Sequence, residues 1–231
     1  MLTLADIRRR ARSRLDDTKL PYLWSDTELL DIINDTVRDA AIRAHLTVQD
    51  DIQIKFTQKA DLTWNSKYAL PSACLDVKSV RLNSQLGYTL YRTSTRRQEA
   101  IFNGRPITTG KPYSYTLDTT KAGAGDDEGV YVRAIDFVGT PTSADTALID
   151  IERLPILLES DGDVPEIDEI WQADLIYGVT ALAYLKRDTD TFDPKKSERD
   201  FAIFESRFGV RLPASVIRER QTDVPLEMIV G

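Results

Sequence analysis

The side chains most often used for catalysis and metal binding are scarce in this sequence. It contains a single histidine, His45, and a single cysteine, Cys74. Zinc sites take several cysteine or histidine ligands in paired spacing, and neither residue has such a partner. His45 follows an amphipathic helix pattern, where the helix dipole favours a cation, and Cys74 lies in an apolar stretch. We therefore predict no metal site and no cofactor, and we assign both residues structural roles.

Carboxylates are the remaining candidates for chemistry, because aspartate and glutamate together number 37 and give a net charge of −7. A glycosidase needs only two facing carboxylates, so a cell-wall hydrolase using such a pair stays open as an alternative. Asp168, Asp174 and Asp188 lie on or near a strongly apolar helix pattern, where helix-end or interface ion pairs are expected. No nucleophile elbow, Walker A loop or dinucleotide-binding glycine turn is present. We predict no catalytic residues.

A glycine-rich acidic loop at 121–129 carries Asp126, Asp127 and Glu128. Three close carboxylates raise the possibility of a calcium site, but their spacing differs from that of an EF-hand loop. The glycines favour a turn instead. We predict a solvated hairpin tip.

The first helix pattern is unusually rich in arginine. Thr3 and Asp6 have capping-box spacing, and apolar residues recur at helical spacing up to residue 15. Arg8, Arg9 and Arg12 are our candidates for a subunit interface with an acidic partner. A solvated basic face and a DNA-binding helix are the alternatives, although net negative charge disfavours general affinity for a polyanion.

The second helix pattern has the strongest local signature. Ser25 and Glu28 form a capping box, and Trp24 precedes the cap, where it can pack on Leu29. A later helix is predicted to begin at Asp193, with Pro194 in its first position. Trp24, Ser25, Glu28, Asp193 and Pro194 are assigned structural roles.

The order of the patterns is helices, then strands, then helices, which predicts an α+β fold rather than alternating βαβ units. Residues 1–49 and 161–209 are predicted to form one helical bundle. Residues 50–160 are predicted to form an inserted antiparallel β-sandwich or barrel-like domain of about seven strands, interrupted by a short helix at about 95–102. The segment PEIDEIWQADLIYGVTALAYLKR (165–187) is predicted to form one helix, which should be central and buried because it is apolar on nearly all sides from Leu175 to Leu185.

The last segment, 210–231, is predicted to be an extended arm. It contains two prolines and no long helical stripe, yet it is too apolar for a disordered linker. We expect it to bind the portal or a neighbouring subunit through seven residues: Leu212, Pro213, Val216, Ile217, Leu226, Met228 and Ile229.

Four stretches resemble, in the same order, the head-to-tail adaptor proteins of short-tailed and related phages. They are YLWSDTELLDIINDTVRDAA, KYALPSACLDVKSVRLN, GRPITTGKPYSYTLD and the closing helix pair with D-T-F-D-P at 190–194. The first contains Trp24, Ser25, Asp26, Glu28, Leu29 and Asn34. The resemblance covers about residues 1–209, and the tail lies outside it.

The resemblance implies a ring, usually of twelve copies, that sits below the portal protein. Such a ring extends the channel, lets viral DNA pass without specific binding, and offers tail or nozzle proteins a platform. It implies no catalytic residues and no membrane, consistent with the lack of a long apolar run or of a signal-peptide pattern. The expected location is the neck of the virion, after assembly in the host cytoplasm.

Overall fold

The computed structural model describes residues 1–94, 110–122, 130–213 and 215–216, and it has two compact units. The helical unit combines Met1–Thr47 with Leu154–Arg211, and the β unit runs from Val48 to Arg153 between them in sequence. The predicted α+β class is confirmed. The chain leaves the β unit at Arg153, earlier than the boundary at 160 that we expected. No described helix combines the length and the apolar composition that a bilayer crossing requires.

The first two helices begin where their capping residues predict. They are α1 (Leu4–Arg14) and α2 (Asp26–Ala44). The Thr3 hydroxyl accepts the Asp6 amide at 3.2 Å, and the Ser25 hydroxyl accepts the Glu28 amide at 3.2 Å. Both boxes are reciprocal, which satisfies amides that a helix start leaves without partners.

The predicted central helix is broken in two, which corrects the expectation of one continuous element. The first part is α3 (Glu169–Gln172) and the second is α4 (Leu175–Ala183). Gln172 is buried at the break, where its amide donates to the Ile167 carbonyl at 2.9 Å and accepts the Leu2 amide at 2.6 Å. Helix α4 itself is central, because it contacts α1, α2 and the last helix. Leu182 and Leu185, however, are exposed.

The last helix, α5 (Pro194–Phe208), has the predicted start and end. Asp193 accepts the Lys196 amide at 3.1 Å, Pro194 occupies the first turn, and Gly209 ends the helix with φ 85°. Phe204 and Phe208 are buried in the helical core, whereas Phe201 lies at its exposed edge.

The β unit contains two four-stranded sheets whose apolar side chains share one core. The strands are β1 (Val48–Lys55), β2 (Lys67–Ala69), β3 (Cys74–Leu82), β4 (Gln85–Thr89), β5 (Tyr91–Arg92), β6 (Ser114–Ala122), β7 (Val130–Val138) and β8 (Thr146–Arg153). One sheet has the order β1-β8-β3-β4 and the other β2-β7-β6-β5. Among the residues that the structure describes, every pair is antiparallel except β5 with β6, which is parallel and differs from the purely antiparallel prediction.

The hydrophobic pattern of β3 predicts a bulge between Val77 and Val80, and the structure contains one. The register with β8 shifts between Val77 and Ser79, so both valines are buried despite their odd spacing. The predicted helix at 95–102 lies outside the described residues, and so does the tip of the acidic loop, 123–129.

Candidate docking surface of the helical unit

The arginine side chains of α1 divide between two sides of the helix. Residues two positions apart on an α-helix lie about 200° apart around its axis. Arg8 and Arg12 point towards the start of α2, where both guanidinium groups approach Asp26. Arg10 and Arg14 therefore lie on another side, next to α4, where they line a groove with Tyr177.

Arg12 holds the corner between α1 and α2 together. It is only 7% exposed, and its Nη2 donates to the Trp24 carbonyl at 2.9 Å and to Asp26 at 2.8 Å. Its other terminal nitrogen pairs with Asp17, which is itself buried and accepts the Leu23 amide at 2.8 Å. We expected Arg12 at a subunit interface, but these contacts commit its guanidinium to the interior of the helical unit.

Arg8 and Arg9 differ from each other in exposure and in their partners. Arg8 is largely covered and is paired with Asp161 and, at 3.4 Å, with Asp26. The Arg9 side chain is 70% exposed and makes one ion pair, at 3.0 Å, with Asp6 on its own helix. An exposed pair within one helix contributes little to stability, so Arg9 remains available to a partner.

Trp24, Ser25 and Glu28 have the structural roles expected of them. The Trp24 ring is buried in a cluster with Leu29, and its indole nitrogen donates to the Ala183 carbonyl at 3.1 Å. Glu28 accepts a hydrogen bond from Lys186 at 2.9 Å and the Ser25 amide at 2.7 Å. These two interactions, the lysine first, lower the pKa of Glu28 to about 2.

Asp200 is a buried charge that the sequence pattern did not reveal. Burial raises its pKa, but hydrogen bonds from Arg14, Thr180 and Arg199 outweigh that effect and lower it. The Thr180 hydroxyl donates to it at 2.6 Å and Arg14 lies 3.1 Å away, which connects α1, α4 and α5. The sequence contained one indication of this burial. Asp200 precedes Phe204 by four residues, so both residues lie on the buried face of α5.

Asn34 has a role that its position in the helix pattern did not indicate. Its amide donates to the Leu158 carbonyl at 3.0 Å and accepts the Leu158 amide at 2.8 Å. The irregular segment before α3 is thereby attached to α2 through both backbone groups of one residue. A sequence separation of 124 residues left no local signal for this contact.

The groove between α1 and α4, here called the α1–α4 groove, encloses about 320 Å³. It is lined by Arg9, Arg10, Ser13 and Arg14 from α1, and by Ala173, Ile176 and Tyr177. The Arg14 guanidinium lies 4.4 Å from the centroid of the Tyr177 ring, close enough for a cation–π contact. Arg10 makes no hydrogen bond or ion pair with any residue that the structure describes.

Eight aspartates and glutamates of the described residues, Glu28 and Asp200 among them, have a lowered pKa, whereas a glycosidase acid needs a raised one. Asp168 caps α3, and Asp174 lies 3.7 Å from Arg207. Asp188 accepts the Thr189 hydroxyl. Burial raises the pKa of Cys74 to about 11, which keeps its thiol protonated at neutral pH.

The start of the predicted arm is described only in part. Leu212 and Pro213 have no regular structure, and Val216, like Ser215, has helical backbone rather than the extended conformation we expected. Proline is compatible with the first turn of a helix, which removes the objection to helical structure after Pro213. The remaining arm candidates, Ile217, Leu226, Met228 and Ile229, lie outside the described residues.

The protein is an α+β chain in which several charged side chains of the helical unit cap helices or join them. The SU10 adaptor protein family matches residues 2–228, nearly the whole chain. The chain belongs to this family, and it is a phage head-to-tail adaptor, as the resemblance in the helix and strand motifs predicted. A comparison with curated proteins gave no match.

Proposed function

We propose that the protein forms a closed ring below the portal protein, continues the DNA channel and gives tail proteins a docking platform. The observation that carries this proposal is the family match over residues 2–228, which includes both the helical unit and the β unit. The ring is a structural part of the virion neck and assembles in the host cytoplasm. Its net charge of −7 suits a channel wall past which DNA moves without specific binding.

Exposed apolar side chains at one end of the helical unit support a docking role. Leu20 is 79% exposed, and Leu23, Leu182, Leu185 and Phe192 are also exposed. The end of α4 and the α1–α2 corner are held together there, because Lys186 donates to the Leu23 carbonyl at 2.7 Å. Exposed apolar residues that lie near one another commonly mark a binding surface for another protein.

The segment 210–231 is proposed to anchor each subunit to the portal or to a neighbouring subunit. Its apolar residues leave water when they bind, and this burial favours binding by roughly 25 cal/mol per Å² of buried apolar surface. Ordering the segment costs entropy, so one arm binds weakly and many arms in a ring bind by avidity. Deleting 210–231 should therefore leave the helical circular-dichroism signal intact and remove attachment to the portal.

The experiment that tests the ring is assembly with purified portal, followed by native mass spectrometry and electron microscopy. We expect monomers of free protein and a defined multiple of the chain on each portal. Protein that stays monomeric and unattached at micromolar concentrations would contradict the proposal. The truncated chain serves as the matched control for the arm, and undiminished binding by it would rule out the arm as the anchor.

The proposed function requires no catalysis. Purified protein should release no sugars from peptidoglycan and hydrolyse no nucleotides. A steady turnover that disappears when a single carboxylate is changed would replace the structural proposal with the hydrolase alternative.

A further inference from the structure

The α1–α4 groove contains positive charge that the described fold does not neutralise. Arg10 is exposed and has no partner among the residues that the structure describes, and Arg9 is largely exposed. Arg14 is held by Asp200 one helical turn after Arg10, so the two like charges are neighbours on one helix face. Such an arrangement is unfavourable in an isolated subunit and becomes favourable when an anion binds.

The outer face of α2 carries two carboxylates, followed one turn later by Arg38. Asp31 and Asp35 are exposed one turn apart, and within the described part of the chain neither makes a hydrogen bond or an ion pair. Ile33 and Val37, on the other side of the same helix, are buried in the core. The two carboxylates therefore sit on a rigid element and point away from the helical unit.

The two charged surfaces lie on different sides of the helical unit. Arg8 and Arg12 are on the side of α1 that faces the start of α2, and Arg10 is about 200° further round than Arg8. A contact between the groove of one copy and the α2 face of another is thus heterologous, with two different surfaces. Contacts of this kind form closed rings when the rotation closes.

We propose that the α1–α4 groove of one subunit receives the Asp31 and Asp35 face of α2 from the next subunit. The inference rests on the ring proposed above and names the contact that closes it. Guanidinium groups pair with carboxylates through two parallel hydrogen bonds, and Ile176 and Tyr177 provide an apolar wall beside them. The net charge of −7 disfavours a nucleic-acid duplex as the occupant, because binding a polyanion needs an excess of basic residues.

The test is a charge exchange between the two surfaces. Arg10→Glu should raise the concentration for half-maximal assembly on the portal about tenfold, equivalent to about 1.4 kcal/mol. The double variant Asp31→Lys/Asp35→Lys should do the same. An equimolar mixture of the two variants should assemble again. Alternating subunits place the introduced glutamate opposite the introduced lysines at every second contact and restore the natural pair at the others.

The matched control is Lys59→Glu, which makes the same change of charge at an exposed residue of the β unit, outside both surfaces. Unchanged circular dichroism and melting temperature of each variant would show that folding is intact. Wild-type assembly should also weaken when salt is raised from about 0.1 M to 1 M, since the Debye length falls from about 10 Å to about 3 Å.

Two results would overturn the contact while leaving the ring in place: assembly of Arg10→Glu at the wild-type concentration, or failure of the mixed variants to recover. Loss of DNA binding by Arg10→Glu in fluorescence anisotropy, with normal assembly, would assign the groove to nucleic acid instead. Failure of wild-type protein to assemble at all would overturn the ring and the contact together.

Discussion

Gly178, in the middle of α4, lies where α4 packs closely against α2 and α5. A Cβ atom at this position would lie 2.6 Å from Thr36 Cγ2 and 2.9 Å from two ring atoms of Phe204. Both neighbours are buried, and the Thr36 hydroxyl donates to the Ile32 carbonyl at 2.8 Å, which fixes its rotamer. Neither side chain has space to move, so Gly178→Ala should force α2, α4 and α5 apart.

Two opposing effects determine the size of the change. Alanine is more favourable than glycine inside a helix by about 1 kcal/mol. Adding a methyl group to a well-packed core costs about 1–3 kcal/mol. The contacts at 2.6 and 2.9 Å are shorter than real Cβ contacts, which places the cost in the upper part of that range. We expect Gly178→Ala to lower the free energy of unfolding by about 1–2 kcal/mol, the difference between these two effects.

Urea unfolding followed by circular dichroism at 222 nm measures this change. Gly162→Ala is the control, because a Cβ atom there has nothing within 4 Å. Thr36→Ser removes the nearest methyl group and keeps the hydroxyl, so Gly178→Ala should cost less in that background. A Gly178→Ala protein as stable as the wild type, or an equal cost in both backgrounds, would refute the packing argument.

Three further substitutions and one labelling experiment test other parts of the structure. Trp24→Ala should lower the free energy of unfolding by about 3–5 kcal/mol in urea titrations, because a buried ring is removed. Asn34→Ala should cost about 1–3 kcal/mol by the same assay, since it leaves two backbone groups without partners. The lowered pKa of Glu28 contributes stability that is present above about pH 4.5 and is lost as the pH falls towards 2. The free energy of unfolding of Glu28→Gln should therefore fall less over this pH range than that of the wild type, as measured by urea titrations at each pH. The Cys74 thiol should react with a disulfide reagent at pH 8 only after urea unfolds the β unit, and a fast native reaction would contradict its burial.

The starts of the main helices and the fold class could be predicted from the sequence. Thr3, Ser25 and Asp193 all cap helices at the predicted positions, because a capping hydrogen bond joins residues only three positions apart. The bulge in β3 could be predicted for a similar reason, since side-chain alternation along a strand is a local property.

The roles of the arginines depended on the tertiary structure. Arg9 and Arg12 belong to the same predicted basic face, yet Arg12 is buried against Asp17 and the Trp24 carbonyl while Arg9 is exposed. Helical spacing predicts which residues share a side of α1. It does not predict which other element of the fold packs against that side. One partner of Arg8, Asp161, and the partner of Asn34, Leu158, lie more than a hundred residues away in sequence.

The break between α3 and α4 and the parallel pairing of β5 with β6 have the same origin. An apolar stretch predicts burial, but Gln172 turns inward because distant backbone groups, including the Leu2 amide, are there to bond it. The pairing direction of a two-residue strand depends on where the chain returns to the sheet. The sequence by itself thus determined where the main helices begin and which residues are apolar, through hydrogen bonds and periodicities a few residues long. Only the tertiary structure decided which charged residues form buried ion pairs and hydrogen bonds and which stay at the surface, because these roles depend on contacts between segments far apart in the chain.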